Sequence, residues 1–157
     1  MEARTGEIVD AISNYLALLE DVERPEAEAI TALDDELNRL MRLGRDTPLP
    51  GATDDERDAP DWEYDARRAV ATRRFPSLGY YNIPASISRS LAETEVVVGD
   101  AIDDVADIAG DLADARWRFE NTTETDALWS FRFFYDHHWG AHANNLRWYL
   151  FALGKER

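Results

Sequence analysis

The chain has 157 residues, a formal net charge of -15 and 45% apolar residues, enough to fold as a single helical domain over 1–157 that takes roughly 70% of its unfolded surface out of water. The charge repels phosphate backbones, so direct nucleic-acid binding is not expected; the absence of cysteine excludes disulfides, thiolate catalysis and Cys-ligated zinc. The opening MEARTGEIVD lacks a basic start followed by an apolar core, and no apolar run of about twenty residues occurs, so a cytoplasmic protein with no membrane contact is expected.

Between Glu2 and Val22, Ile8, Val9, Ile12, Tyr15, Leu16, Leu19 and Val22 recur at three and four, which predicts a first amphipathic helix. Arg24-Pro25 interrupts it. Pro25 suits the first position of a second helix with the face Ala29, Ile30, Leu33, Leu37, Leu40 and Met41, ending at Gly44. Residues 2–44 therefore read as a helical hairpin.

A loop-rich connection follows over 45–93. Its first part, DTPLPGATDDERDAPDWEYD, is acidic, carries three prolines and has no apolar period. Tyr64 to Arg74 predicts a short basic helix that ends before Pro76, and SLGYYNIPASIS reads as extended or irregular, with Tyr80 and Tyr81 laid over the bundle.

From about Thr94 a third main helix is expected, with Val98, Ala101, Ile102, Val105, Ile108, Ala109, Leu112 and Ala115 buried, running to near Phe119. Asn121-Thr122-Thr123 before Asp126 resembles a capping box and opens a fourth helix, continuous to Leu153 and stopped at Gly154. Being apolar on nearly every side, this helix should lie centrally or at a homodimer seam. The expected fold is all-α, a four-helix bundle with one additional short helix and a long irregular connection between the second and third main helices.

Two features could carry chemistry. Asp100, Asp104, Asp107, Asp111 and Asp114 fall within a band of roughly 80° on the third helix. A solvated face selected for helix stability would favour Glu, whereas Asp holds its oxygens close to the backbone, which suits a divalent metal or tight bonds to Arg or His. The plain expectation is a hydrated face paired to arginines such as Arg39, Arg42 or Arg132; the alternative is metal ligation. His138 and His142 lie four apart among Leu128, Phe131, Tyr135 and Leu146, facing the core. They can share a metal or simply donate hydrogen bonds to the neighbouring aspartates, but the intervening WGA provides no glutamate base, so a zinc protease is not supported. Asp104, Asp107, Asp111, His138 and His142 are thus the candidate metal ligands. His137 points elsewhere, and Asp136-His137-His138 lies in a helical run rather than at a strand end. Gly140 inside a helix predicts close packing beside Trp139.

The pairing of AIDDVADIAGDL, Ala101 to Leu112, with ALWSFRFFYDHHWGAHANNLRWYL, Ala127 to Leu150, resembles the bacterial family called domain of unknown function 5063, chiefly over residues 95–153. Asp103, Asp104, Asp107, Asp111, Trp139 and Gly140 fall on that family's pattern. The resemblance implies a helical fold and no established activity, and it does not imply a histidine-ligated metal. The expected function is therefore a non-catalytic helical interaction or regulatory module whose acidic surface steers it to a protein with a basic surface, without cofactor. The alternative is a metal-dependent hydrolase of phosphorylated small molecules that uses the Asp/His cluster. DNA mimicry would require the acids to be spread over an exposed surface.

Overall fold

The computed structural model describes residues 2–51 and 57–156. Residues 52–56, in the middle of the expected acidic loop, lie outside the described residues.

The elements run α1 (Glu2–Glu20), α2 (Glu26–Asp46), α3 (Tyr64–Arg74), β1 (Tyr80–Pro84), β2 (Val96–Asp100), α4 (Ala101–Asn121), α5 (Glu124–His137) and α6 (Trp139–Lys155). The architecture is a helical bundle, as its periodicities predict, with one small two-stranded ribbon. In α1, Ile8, Ile12 and Tyr15 are fully buried, and Tyr15 Oη donates to the Val105 carbonyl at 3.1 Å, tying α1 to α4. Val22 falls past the end of α1 and is exposed. In α2 the expected stripe from Ala29 to Leu40 is buried. Gly44 does not stop this helix, which runs to Asp46; a methyl there would meet the Tyr135 ring, so the glycine admits that ring from α5.

The basic helix α3 forms over the expected residues. Arg74 is buried and donates to the Leu18 and Arg24 carbonyls at 3.1 and 3.0 Å, closing the end of α1 and the turn after it.

Both later main helices depart from expectation. The third main helix does not begin near Thr94, because Val96-Val97-Val98 is β-branched and pairs antiparallel with residues 82–84 of β1. Val98 is consequently exposed rather than buried. The helix starts at Ala101, where the Asp100 carboxylate accepts from the Ile102 and Asp103 amides at 3.0 and 3.4 Å. The fourth helix is also not continuous. Thr123 caps its start by accepting from the Asp126 amide at 3.1 Å, but His138 has φ -146° and ψ -84° and divides it into α5 and α6. After that break the chain turns back so tightly that a methyl at Gly140 would collide with the Tyr135 carbonyl oxygen. Trp139 fills the corner, fully buried, with Nε1 donating to the Phe131 carbonyl at 3.3 Å.

The break changes the centre of the bundle. It is α4, not the last helical stretch, that packs on α1, α3, α5 and α6 at once. Trp148 and Phe151 of α6 are left exposed. Among the described residues no helix is long and apolar enough to cross a membrane.

Candidate metal centre

The aspartate stripe of α4 divides by partner. Its ends are bound to arginine: Asp100 to Arg68 at 2.7 Å and Asp114 to Arg118 at 2.8 Å. The arginines expected from sequence work elsewhere: Arg39 faces Glu36, Arg42 faces Glu7, and Arg132 holds Asp136 while donating to the Arg45 and Thr47 carbonyls. The middle of the stripe meets histidine. His142 Nδ1 lies 2.7 Å from Asp104 Oδ1, and His138 Nδ1 lies 2.6 Å from Asp111 Oδ2. His142 Nε2 is 3.6 Å from Asp107 Oδ2. One ligand atom from each of Asp107, His138 and His142 lies within 4.8 Å of the other two.

The helix break brings this about. His138 occupies the non-helical corner and His142 the first turn of α6, yet their rings still meet edge to face with centroids 4.8 Å apart. Both sit at the rim rather than in the core, with side-chain exposures of 44% and 25%, while Asp104 beneath them is 5% exposed. The cluster is closed below and open above.

A carboxylate can only accept, so each Nδ1 facing one carries a proton; the lone pair of a neutral ring then lies on Nε2. The hydrogen bond to Asp104 raises the His142 pKa, with the charges of Asp104, Asp107 and Asp103 adding to it against burial. Burial raises the pKa of Asp107 and of Asp111, and the histidines oppose that shift in both.

Two tyrosines complete the floor and one side. Tyr81 Oη donates to Asp104 Oδ2, so Asp104 holds His142 with one oxygen and a phenol with the other. Burial first, and this hydrogen bond second, push the phenol pKa far up, so Tyr81 stays a donor. Its ring stacks on Tyr149 at 4.9 Å and lies over Gly99 of the opposite strand, where a methyl would come within 2.6 Å of it. Tyr64 Oη donates to Asp103, which raises the Tyr64 pKa to about 12.

Asp104, Asp107, Asp111, His138 and His142 therefore come together, and Asp103 joins the edge through Tyr64. Trp139 and Gly140 are not at the cluster; they build the corner that delivers the histidines. Sequence reasoning missed Tyr81, Tyr64 and Arg68. Period-two alternation across Tyr80–Pro84, with Gly99 as the space left by the partner strand, was the available signal for Tyr81. Tyr80, on the other face, is exposed and does not cover the bundle.

A family model described as Domain of unknown function (DUF5063) matches residues 1–154, and the chain belongs to that family. The match includes the N-terminal hairpin as well as the α4–α6 segments whose residues resemble the family. No curated protein matches. Among solved structures, the crystal structure of protein BF1032 from Bacteroides fragilis is similar, with a TM-score of 0.74 at 19% identity over 94% of this chain and 89% of that one. At that identity the likeness shows a common fold.

Proposed function

We propose that this member of the DUF5063 family binds one divalent transition-metal ion through His138 Nε2, His142 Nε2 and the Asp107 carboxylate, with Asp104 and Asp111 orienting the two rings. The observation that carries the reading is the carboxylate on Nδ1 of each histidine, at 2.7 and 2.6 Å. Metal-bound imidazoles are ordinarily held this way, because the bond fixes the tautomer and raises the basicity of the nitrogen that faces the ion. Ligand atoms about 2.0–2.2 Å from one ion stand roughly 3 to 3.5 Å apart, so the 4.8 Å spread closes by side-chain torsion. Two histidines and one carboxylate suit zinc or iron(II) and leave positions free for water and substrate. Held by these three residues, such an ion would make a bound water more acidic, and metal-assisted hydrolysis is the reaction class this would support. Arg67, whose charge acts on Asp107 against the upward shift that burial gives its pKa, favours an anionic substrate such as a phosphorylated small molecule.

Elemental mass spectrometry of unchelated protein, followed by titration of chelated protein with Zn²⁺, Mn²⁺ and Fe²⁺, tests this. One equivalent of metal is expected, with affinity abolished in His142→Ala and Asp107→Ala and reduced about 10–100-fold in Asp104→Asn. Substoichiometric metal with no binding of any of the three ions, or binding that all three variants leave intact, overturns it.

A second reading, compatible with the first, is the interaction module. Its support is on α6, where Trp148 and Phe151 are 68% and 57% exposed and stack at 5.6 Å. Exposed aromatics of this kind anchor protein interfaces, whether with a second copy or with a basic partner drawn by the net charge. Sedimentation at rising concentration, alone and with Trp148→Ala, distinguishes self-association through this face from a monomer.

A further inference from the structure

A cleft of about 300 Å³ opens between α1, α3 and α4. Apart from Arg67, whose charge also reaches Asp107, its lining shares no residue with the proposed metal centre. Taking 100° per residue on α4, Ala109 and Ala113 on the cleft wall stand roughly 140° to 180° round the helix from Asp104 and Asp111. Leu16 and Leu19 of α1 and Val70 of α3 complete an apolar wall. Two donors in this lining lack acceptors. Trp62 Nε1 and Arg67 Nε are both shielded from solvent and have no hydrogen-bond partner among the described residues. The remainder of the Arg67 guanidinium crosses α4 at Gly110, a position that has no room for a side chain while it is there.

Indole N–H and guanidinium N–H groups can only donate. Buried polar groups almost always have partners, and neither Glu20 nor Ser13 of the lining reaches these two donors. Arg67 and Arg116 against Glu20 give the lining a net positive formal charge inside a protein of charge -15. Leu16, Ala17, Leu19, Val70, Ala109 and Ala113 make the rest of the wall largely hydrocarbon. From this combination we infer that the cleft binds a small amphipathic carboxylate, an aryl or short acyl acid, whose body lies along Leu16, Leu19, Val70 and Ala113 and whose carboxylate meets the Trp62 and Arg67 donors as these side chains turn from their shielded positions. A largely apolar pocket with a few converging polar groups is the usual form of a small-molecule site. A free phosphate would satisfy the donors but leave the apolar wall uncovered.

The Trp62 indole N–H reports on the site directly. In ¹H–¹⁵N spectra of the full chain, recorded with EDTA so that metal plays no part, Trp62→Phe assigns its resonance among the five tryptophans. Phenylacetate is the probe and 2-phenylethanol its neutral counterpart. Phenylacetate should move the Trp62 resonance saturably, and the alcohol should bind at least tenfold more weakly. Arg67→Met should weaken phenylacetate tenfold or more, and Ala113→Leu, which fills the cleft but keeps both donors, should abolish the shift while the other four indole resonances stay in place. A Trp62 resonance that phenylacetate leaves unmoved, equal response to acid and alcohol, or binding unchanged in both variants overturns the assignment.

Discussion

Along one face of α4 the same residue, aspartate, is used in two ways. At the ends, Asp100 and Asp114 are each joined to an arginine, whose charge is fixed at every accessible pH. In the middle, Asp104 and Asp111 are joined to histidines, whose proton can be exchanged for a metal ion near neutrality. The ends are structural ties: Arg68 fixes α3 to the start of α4, and Arg118 bridges Asp114 and the buried Asp126 at the start of α5. The middle has no need of histidine for that purpose. Arginine neutralises a carboxylate permanently and at lower desolvation cost, so the use of histidine at the rim is what the proposed metal site would account for.

The largest consequence falls on the structural end. Arg118 has 14% side-chain exposure and binds two carboxylates, at 2.8 and 3.1 Å. Arg118→Met removes this tie from the buried Asp126 carboxylate and from Asp114, and breaking such a pair costs on the order of 3 kcal/mol. For a chain of this length that is a fall in Tm of roughly 6 to 12 °C, read by calorimetry. Metal affinity should be unchanged in the same variant. Asp104→Asn should do the reverse, weakening metal far more than it shifts the metal-free Tm. If Arg118→Met releases metal, or if both variants lower Tm alike with no difference in metal binding, the two uses of aspartate are one.

The fold was legible wherever a helix buries a single stripe. The α1–α2 hairpin, the span of α3 and the Thr123 cap all follow from local spacing. What was not legible depends on contacts distant in sequence. Val96–Val98 fits a helical period as well as a strand, and only pairing with residues 82–84 decides for the strand. Nothing local in FYDHHWGAH breaks a helix either; the break comes from packing of Trp139 and from the close return of Gly140 onto Tyr135. The site was half legible for the same reason. Asp104, Asp107, Asp111, His138 and His142 are visible as a set in the sequence, but which histidine meets which aspartate depends on the corner at His138. The tyrosine under Asp104 depends on a ribbon that the apolar period conceals.

The finest test of the comparison is the direction of the pH response. Between about pH 6 and 8 the carboxylates stay ionised in the unfolded chain and the arginines stay charged in both states, so among side chains at ordinary values only the histidines titrate. His142 is surrounded by Asp103, Asp104 and Asp107, and its pKa in the folded protein is raised above the unfolded value of about 6.5. Folding therefore binds a proton there. Its contribution to stability is fully present below about pH 6.5 and is lost as pH rises through the folded value. The raised values of Asp107 and Asp111 have the same sign, because the folded state holds their protons longer than the unfolded chain does. Metal-free protein should accordingly lose Tm as pH rises from 6 to 8, and His142→Gln should flatten that slope. With saturating Zn²⁺ the slope should invert, because the ion must displace the Nε2 proton of His142 and does so more readily at higher pH. The arginine-tied ends offer no proton to displace in this range. Opposite slopes for the metal-free and zinc-loaded protein, measured by calorimetry in matched buffers, would separate the exchangeable centre of α4 from its fixed ends; parallel slopes would make His142 one more structural tie.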